Sequence, residues 1–237
     1  MVLSTKDEIK VNVRSVLDTI DRAADLSGRA REFVKLVAVS KTVPVDRIRW
    51  ALEAGISRLG ENRVQEGQSK KPDLSAYTFE FHLIGPLQKN KVNKAVSTFD
   101  WIETVDSLEL ALKIDRACAS INKVMPVLLQ VNLGMEPTKS GVFEDGIAEL
   151  AAQTATLGHL SLQGLMTIPP LEEDPERSRP YFRRLRELSE KIGSRVSANV
   201  EMRELSMGMS HDYPVAIEEG ATIVRLGTAI FGERQPL

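Results

Sequence analysis

Eight short apolar runs, separated by longer amphipathic segments, constrain the fold of this 237-residue chain more than any other feature. Most of the runs are rich in Val, Ile and Leu, as parallel strands covered on both faces should be. They are KLVAVS (35–40), SRLG (57–60), EFHLIG (80–85), FDWIETV (99–105), PVLLQVN (126–132), LQGLMTI (162–168), RELSMG (203–208) and TIVRLG (222–227). The second run is the weakest strand prediction, and without it an open sheet would compete with a barrel.

The segments between the runs have the periodicity of helices, and a further amphipathic segment covers about residues 6–24, before the first run. Eight strand–helix units in one such chain favour a closed barrel over an open doubly wound sheet. We therefore predict an α/β protein: a single (β/α)8 TIM-type barrel with an extra N-terminal helix. We expect residues 1–237 to form one domain.

Composition excludes several classes of function. The chain has 31 basic and 33 acidic residues, so its formal charge of −2 gives no field that would attract a nucleic acid. Its one cysteine, Cys118, permits neither an intrachain disulfide nor a cysteine metal site, and its helical surroundings predict a packed thiol. No stretch approaches the ~20 apolar residues of a membrane span, and the first residues lack the apolar core of a signal peptide. We expect a cytoplasmic protein without a metal site.

Lys41 directly follows the first run, at the strand end where barrels of this type form their sites. It shares strand parity with Val37 and Val39, so all three point to the same side of a regular strand. In an apolar, partly dry position the ammonium form is disfavoured, and the neutral amine is available to form a Schiff base. A lysine that extends from the strand end into solvent would show the same local pattern.

The seventh and eighth runs are each followed by a predicted helix start. Ser210 opens the helix after the seventh, while Gly227 and Thr228 open a short final helix after the eighth. Helix N-termini bind dianions, and the loops after strands seven and eight are the usual phosphate site of this barrel. Ser210 and Thr228 can equally be helix caps, and a capping hydroxyl can also face a ligand.

In a closed barrel, strand eight lies beside strand one, roughly 5 Å away. A lysine on one and a phosphate cradle on the other match pyridoxal 5′-phosphate (PLP), whose aldehyde and phosphate-bearing arm are on adjacent ring carbons. Arg225, just before the cradle, could reach the ring nitrogen. Arginine only donates, so it would keep this nitrogen unprotonated and the ring a poor electron sink. A class I aldolase acting on a sugar phosphate fits the same lysine and cradle almost as well.

Six segments carry a resemblance to a known family. They are AVSKT (38–42), GENRVQE (60–66), HLIGPLQKNKVNK (82–94), GLMTI (164–168), ELSMGMSHD (204–212) and VRLGTAIFGER (224–234). Together, and in this order across nearly the whole chain, they resemble the pyridoxal phosphate homeostasis proteins, the YggS/PROSC-type PLP-binding family. The match departs from the family pattern at Arg63 and Pro86, which leaves open what docks at the mouth of the barrel.

The resemblance implies a barrel similar to the N-terminal domain of alanine racemase, with PLP held as a Schiff base (internal aldimine) on Lys41. The cofactor-binding residues that it implies are Lys41, Asn62, His82, Met166, Ser210, Arg225, Gly227 and Thr228. Ser210, Gly227 and Thr228 would contact the phosphate, and Arg225 the ring nitrogen. A histidine satisfied in the barrel interior explains His82 equally well.

The resemblance further implies a binding protein rather than an enzyme. Alanine racemases use a tyrosine from a second, β-rich domain, for which the sequence after Thr228 leaves no room; Tyr213 lies in a helix and is expected to pack. We expect reversible PLP binding in intracellular vitamin B6 and amino-acid homeostasis, no catalytic residue and little or no turnover. The expected partners are PLP and, beyond it, amino acids or apo-PLP enzymes, and the expected state is a monomer.

Three other functions compete with this prediction. A weak PLP-dependent amino-acid racemase needs a second proton-transfer group, which the sequence does not reveal. The Schiff-base aldolase predicts no bound chromophore. An interaction module would use Lys89, Lys91 and Lys94, although such clusters are more often a solvated helix face.

Overall fold

The apolar runs form the strands of a closed barrel, in which the packed interior and the surrounding helices cover both faces of all eight strands. The computed structural model describes residues 4–136, 139–194 and 200–233. Its eight strands pair in chain order, β1 with β2 through to β8, and β8 pairs with β1 in parallel. The predicted TIM-type barrel is confirmed.

The strands are β1 (Lys35–Val39), β2 (Arg58–Glu61), β3 (Glu80–Leu83), β4 (Trp101–Val105), β5 (Met125–Val131), β6 (Leu160–Thr167), β7 (Val200–Ser206) and β8 (Ile223–Leu226). The helices are α1 (Lys6–Leu26), α2 (Val45–Glu53), α3 (Val64–Lys70), α4 (Val92–Thr98), α5 (Leu108–Ser120), α6 (Ile147–Thr154), α7 (Arg179–Gly193), α8 (Tyr213–Glu218) and α9 (Thr228–Phe231). The weakest strand prediction, the second, is confirmed as β2.

The predicted extra helix is present as α1 and begins with a capping box. The Thr5 hydroxyl accepts from the backbone N–H of Glu8, and the Glu8 carboxylate accepts from the N–H of Thr5. The helix packs against α2, α8 and α9 through one apolar face. That face consists of Ile9, Val13, Val16, Ile20, Ala23 and Ala24. It therefore covers the barrel where the first and last strands meet.

Residues of alternate parity on β1 separate the two sides of the barrel wall. Leu36 and Ala38 belong to the large core between the strands and the helices, whereas Val37 belongs to a small inner cluster. That cluster also contains Leu128, Met166 and Ile223, with Trp101 packed against it. Lys35, the first residue of β1, pairs with Glu204 of β7 at 2.6 Å and lies over the ring of Trp101, the first residue of β4. These side chains fill the lower interior, below the mouth formed by the carboxyl ends of the strands.

Two residues that the sequence assigned to packing are buried. Cys118 is fully buried in α5, and Tyr213 is buried at the start of α8. Within the described part of the chain, no helix is long and apolar enough to cross a membrane. The same residues contain no group of three or more His, Cys, Asp or Glu side chains that could hold a metal ion.

Candidate functional site

Lys41 lies at the mouth of the barrel, in a turn that follows β1. Its side chain is half-buried. Thr42, the next residue, has φ of 60°, in the left-handed region that a β-branched residue seldom adopts. The backbone around Lys41 is therefore in a conformation that the surroundings must maintain.

Beside this turn, β8 leads directly into α9. Val37 pairs with Arg225 and Ala38 with Leu226, so the ends of β1 and β8 are neighbours. Gly227 precedes α9, and Thr228 is its first residue, as predicted. Lys41 and the start of α9 therefore extend from adjacent strand ends, which is the arrangement that the sequence predicted.

Ser210 does not lie at the predicted helix start. The prediction that it opens the helix after strand seven is wrong: α8 begins at Tyr213, with Asp212 before it. The chain turns after β7 at Gly208, where φ is 92°, and the carboxylate of Asp212 accepts from the N–H of Met209. Ser210 instead lies across from α9, and its Oγ accepts from the backbone N–H groups of Gly227 and Ala229, at 3.2 and 3.3 Å.

The start of α9 thus presents several donors at one point. The N–H groups of Gly227 and Ala229 converge on the Ser210 hydroxyl, and the Thr228 side chain is exposed beside them. Converging N–H groups at a helix start can bind a phosphate dianion. The cradle is therefore built by two loops, of which one supplies the hydroxyl and the other the backbone.

Arg225 points into the barrel and is almost fully buried, with 4% of its surface exposed. Its Nη2 donates to the carbonyl of Thr167 at 2.8 Å, and its Nη1 donates to Ser206 Oγ at 2.5 Å. Ser206 in turn donates to Glu103 Oε2 at 2.5 Å. The remaining oxygen, Glu103 Oε1, is 2.6 Å from His82 Nδ1. A buried polar chain thus crosses the interior from β8 to β3.

The charges in this chain compensate each other. Burial opposes ionisation of Glu103, but His82, Arg225 and Ser206 together outweigh it and lower the pKa of this carboxyl. Burial also lowers the pKa of Arg225, an effect that Glu103 and Asp212 oppose. Since arginine stays protonated in proteins, the interior contains a guanidinium and its carboxylate counter-ion.

His82, Met166 and Asn62 complete the set of predicted residues. The His82 ring stacks on Trp101 with centroids 5.4 Å apart, and its buried Nε2 has no hydrogen-bond partner among the described residues. Met166 is fully buried in the inner cluster beside Val37. Asn62 is half-buried after β2; its backbone lies so close to Gly85 that a Cβ there would be 2.3 Å from the Asn62 carbonyl oxygen.

Sequence reasoning missed five polar residues around this site: Glu61, Glu66, Lys70, Glu103 and Ser206. Glu103 and Ser206 lie within apolar strands, where a polar residue facing inward must have a partner. Glu66 and Lys70 have the spacing of a helical ion pair, a signal that was available but is common on solvated surfaces. Their contacts with the Lys41 turn depend on the barrel having closed.

The donor set fits a phosphorylated aldehyde such as PLP. It comprises an amine on one strand end, a backbone cradle for a dianion on the next, and a buried guanidinium between the cradle and the inner cluster. The apolar side chains of Val37 and Met166 lie at the depth of this guanidinium, where they can pack against a flat ring.

Comparison with known proteins places the chain in a family. Residues 12–235 match the family described as alanine racemase, N-terminal domain. The pyridoxal phosphate homeostasis protein of Aquifex aeolicus is 46% identical over 220 residues, which cover 93% of this chain and 96% of that protein.

Solved structures agree with this assignment. PipY of Synechococcus elongatus PCC7942, solved with PLP bound, is 36% identical, with a TM-score of 0.80 over 90% of this chain and 100% of that one. Alanine racemase of Clostridium difficile 630, at 18% identity and a TM-score of 0.70, shares the fold over 95% of this chain and 57% of its own. The chain therefore belongs to the alanine racemase N-terminal domain family and, within it, to the pyridoxal phosphate homeostasis proteins.

Proposed function

We propose that this chain binds PLP through a covalent linkage to Lys41 and holds it reversibly, as part of intracellular vitamin B6 and amino-acid homeostasis. The observation that carries the proposal is the convergence of three groups at adjacent strand ends: Lys41 after β1, the N–H cradle of α9 with Ser210, and the buried Arg225. The PLP-bound relative PipY supports it.

Each residue has a part in this proposal. Ser210, Gly227 and Thr228 bind the phosphate through the two side-chain hydroxyls and the start of α9, where the N–H groups of Gly227 and Ala229 converge on Ser210 Oγ. Met166 and Asn62 flank the ring from β6 and from the turn after β2. His82 acts indirectly: its Nδ1 hydrogen-bonds to the Glu103 carboxylate, which compensates the charge of Arg225.

Arg225 limits the catalytic chemistry that bound PLP can support at this site. When bound, PLP supplies an electron-withdrawing ring that stabilises negative charge on the α-carbon of an attached amine. A guanidinium can only donate, so Arg225 leaves the ring nitrogen without a proton and weakens this withdrawal. We therefore propose binding with little or no turnover and without a catalytic residue.

The remaining parts of the proposal concern partners and place. Amines can displace Lys41 from the cofactor, so amino acids and apo-PLP enzymes are proposed as recipients or competitors. We propose a monomeric, single-domain, cytoplasmic protein that does not bind nucleic acid. Light scattering tests the monomer: the expected mass is that of one 26.3 kDa chain, and twice that mass would contradict it.

The central experiment is spectroscopic. PLP is added to the wild-type chain, to Lys41→Ala and to Lys94→Ala, a control that removes an exposed lysine of α4. Wild type and control should develop the visible absorption of a lysine–PLP linkage, which borohydride then fixes to the peptide containing Lys41. A wild-type protein that stays colourless would contradict the proposal; cleavage of a sugar phosphate by it would favour the aldolase.

The alternative of a weak racemase is tested on the same protein. D- and L-alanine are incubated with the loaded chain and separated by chiral chromatography. The expected rate of interconversion does not exceed that of free PLP at the same concentration. Turnover well above free PLP, abolished by Lys41→Ala, would make the chain an enzyme.

A further inference from the structure

One helix, α3, contacts both neighbours of Lys41 in the turn after β1. Thr42 lies at φ 60° and is exposed, so packing of its own side chain does not explain the conformation. A β-branched residue in this region is strained and persists only where other contacts determine the backbone. The contacts on both sides of Lys41 therefore show what maintains it.

On the carboxyl side, the contact comes from Glu66. The backbone N–H of Thr42 donates to Glu66 Oε1 at 2.5 Å, and Lys70 Nζ donates to the same oxygen at 2.6 Å. A carboxylate that accepts from a backbone N–H and from an ammonium forms short, charge-assisted bonds. Glu66 is therefore fixed by Lys70 while it binds Thr42.

On the amino side, the contact comes from Lys70 itself. Its ammonium donates to the carbonyl of Ser40 at 2.7 Å and to Glu61 Oε1 at 2.8 Å. With the bond to Glu66, all three donors of the ammonium are used. The Ser40 hydroxyl also donates to Glu61 Oε1, at 2.7 Å. Both neighbours of Lys41 are thus bound by α3.

An ordinary helical ion pair does not account for these contacts. Exposed ion pairs at this spacing contribute little to the free energy of folding and need no further hydrogen-bond partners. Lys70 is only 8% exposed and Glu61 is fully buried, so the fold takes charged groups out of water here. The α3 helix is already anchored by apolar packing: a Cβ on its Gly67 would be 2.5 Å from the Phe99 ring.

We infer that Glu66 and Lys70, together the α3 clamp, are positioning residues that hold the Ser40–Thr42 turn so that the Lys41 amine is oriented for PLP. The inference rests on the proposed function of Lys41 and adds the residues that orient it. Neither member of the clamp contacts the cofactor; both act through the backbone. Misplacement of a reacting group by about 1 Å can cost as much as a hundredfold in rate, so the effect is measurable.

Three variants separate orientation from folding. Glu66→Ala removes the acceptor of both Thr42 and Lys70, whereas Glu66→Gln retains an oxygen at this position without the charge. Gln65→Ala changes an exposed neighbour on the same helix and is the matched control. All measurements are made well below each variant's thermal midpoint, so that the chain is folded throughout.

Two readouts are combined for each variant. The first compares two rates at Lys41. One is the rate at which PLP forms its linkage, and the other is the rate of labelling by acetic anhydride, a small reagent that needs no particular orientation. The second, on protein without PLP, is amide hydrogen exchange in residues 40–42. In Glu66→Ala we expect linkage about tenfold slower or more, labelling changed less than about twofold, and faster local exchange. Glu66→Gln should recover most of the linkage rate, and Gln65→Ala should match wild type.

Two results would overturn the inference. One is a Glu66→Ala variant that forms the linkage at the wild-type rate. The other is parallel loss of linkage, labelling and thermal midpoint, with no recovery in Glu66→Gln, which indicates a role in folding alone. If wild type itself forms no linkage, the proposed function fails. Amide hydrogen exchange then tests the α3 clamp by itself, and unchanged exchange in Glu66→Ala overturns the inference.

Discussion

At the residue scale, the buried carboxylate of Glu103 carries the charge balance of the barrel interior. It lies between His82 and Ser206 and compensates Arg225, which is buried on the far side of the same serine. Its pKa is lowered because His82, Arg225 and Ser206 outweigh the opposing effect of burial. Arg225 therefore requires the charge of this carboxylate, and the hydrogen bonds to His82 and Ser206 require its two oxygens.

We predict that Glu103→Gln destabilises the protein at neutral pH. An amide can keep part of the hydrogen bonding but leaves the Arg225 charge without a counter-ion, and breaking a buried pair costs about 3–5 kcal/mol. Because the folded pKa of Glu103 lies below 4.5, its contribution is present above that pH and is lost as pH falls through the folded pKa.

Urea unfolding at neutral and at acidic pH measures this. The difference between wild type and Glu103→Gln should shrink in acid. Glu32→Gln, an exposed substitution on the surface, should leave the free energy of unfolding within about 0.5 kcal/mol of wild type. Equal losses in both variants would contradict the assignment of Glu103.

Cys118 gives a second prediction at this scale. Burial raises its pKa to about 11, so the folded thiol stays protonated where the unfolded thiol, near pH 9, ionises. The native state then binds more protons than the unfolded state above that pH, and stability falls as pH rises from about 9 to 11. Cys118→Ala should lack this alkaline loss, and Ellman's reagent should react with the thiol only after unfolding. Rapid reaction of the native protein with Ellman's reagent would contradict the burial of this thiol.

At the scale of elements, the residues after β3 pack closely against the turn after β2 at Gly85. A Cβ at this position would be 2.3 Å from the carbonyl oxygen of Asn62 and 2.7 Å from its Cα, and backbone atoms cannot move aside cheaply. Because Asn62 is a proposed neighbour of PLP, this contact links the packing of two strand ends to the site.

We predict that Gly85→Ala lowers the free energy of unfolding by about 3 kcal/mol, since inserting atoms into a packed position forces the backbone to shift. It should also slow linkage of PLP to Lys41, because the shift moves Asn62 and the start of α3. Gly158→Ala is the control, since a Cβ there meets nothing within 4 Å. Chemical denaturation of both variants measures the difference, and a Gly85→Ala variant as stable as the control would show that the turn adapts.

Elements were also where sequence prediction was least accurate. All eight strands were predicted, but most of their ends shifted, by up to three residues, and the seventh ends at Ser206 rather than at Gly208. Ser210 was assigned to the start of the next helix because serine is a common cap. In the structure its hydroxyl accepts from the N–H groups of α9 instead, a partner on another loop that local sequence cannot reveal.

At the scale of the whole molecule, the proposed site joins the first and last strands of the barrel. Lys41 follows β1, the cradle follows β8, and α1 covers the seam where these strands pair. A ligand bound at both ends of the chain can bind only the closed barrel. Its binding energy is therefore added to the stability of the fold.

We predict that PLP stabilises the whole protein. At about 100 times its dissociation constant, a ligand that binds only the native state raises the free energy of unfolding by about 2.7 kcal/mol. Lys41→Ala should lose most of this gain, whereas Lys94→Ala should keep it. Thermal unfolding across a PLP titration measures the effect, and equal stabilisation of both variants would mean that Lys41 does not hold the cofactor.

The barrel itself was determined by the sequence. Eight Val-, Ile- and Leu-rich runs with helical segments between them predict parallel strands buried on both faces, and eight such units favour a closed barrel over an open sheet. Once that order is known, Lys41 and Gly227 must lie at neighbouring strand ends, and Arg225 just before Gly227. The division into one domain and the roles of the individual cofactor residues stay predictions.

Only the tertiary structure decided which polar groups meet. Glu103 reaches Ser206 and Arg225 across the barrel interior, and Glu66 reaches Thr42 across the gap between α3 and β1. These partners are far apart in the chain, and each hydrogen bond depends on distances of a few tenths of an ångström set by strand register and side-chain rotamers. Apolar periodicity constrains which face a residue occupies, but it carries no information about which of the facing polar atoms pair.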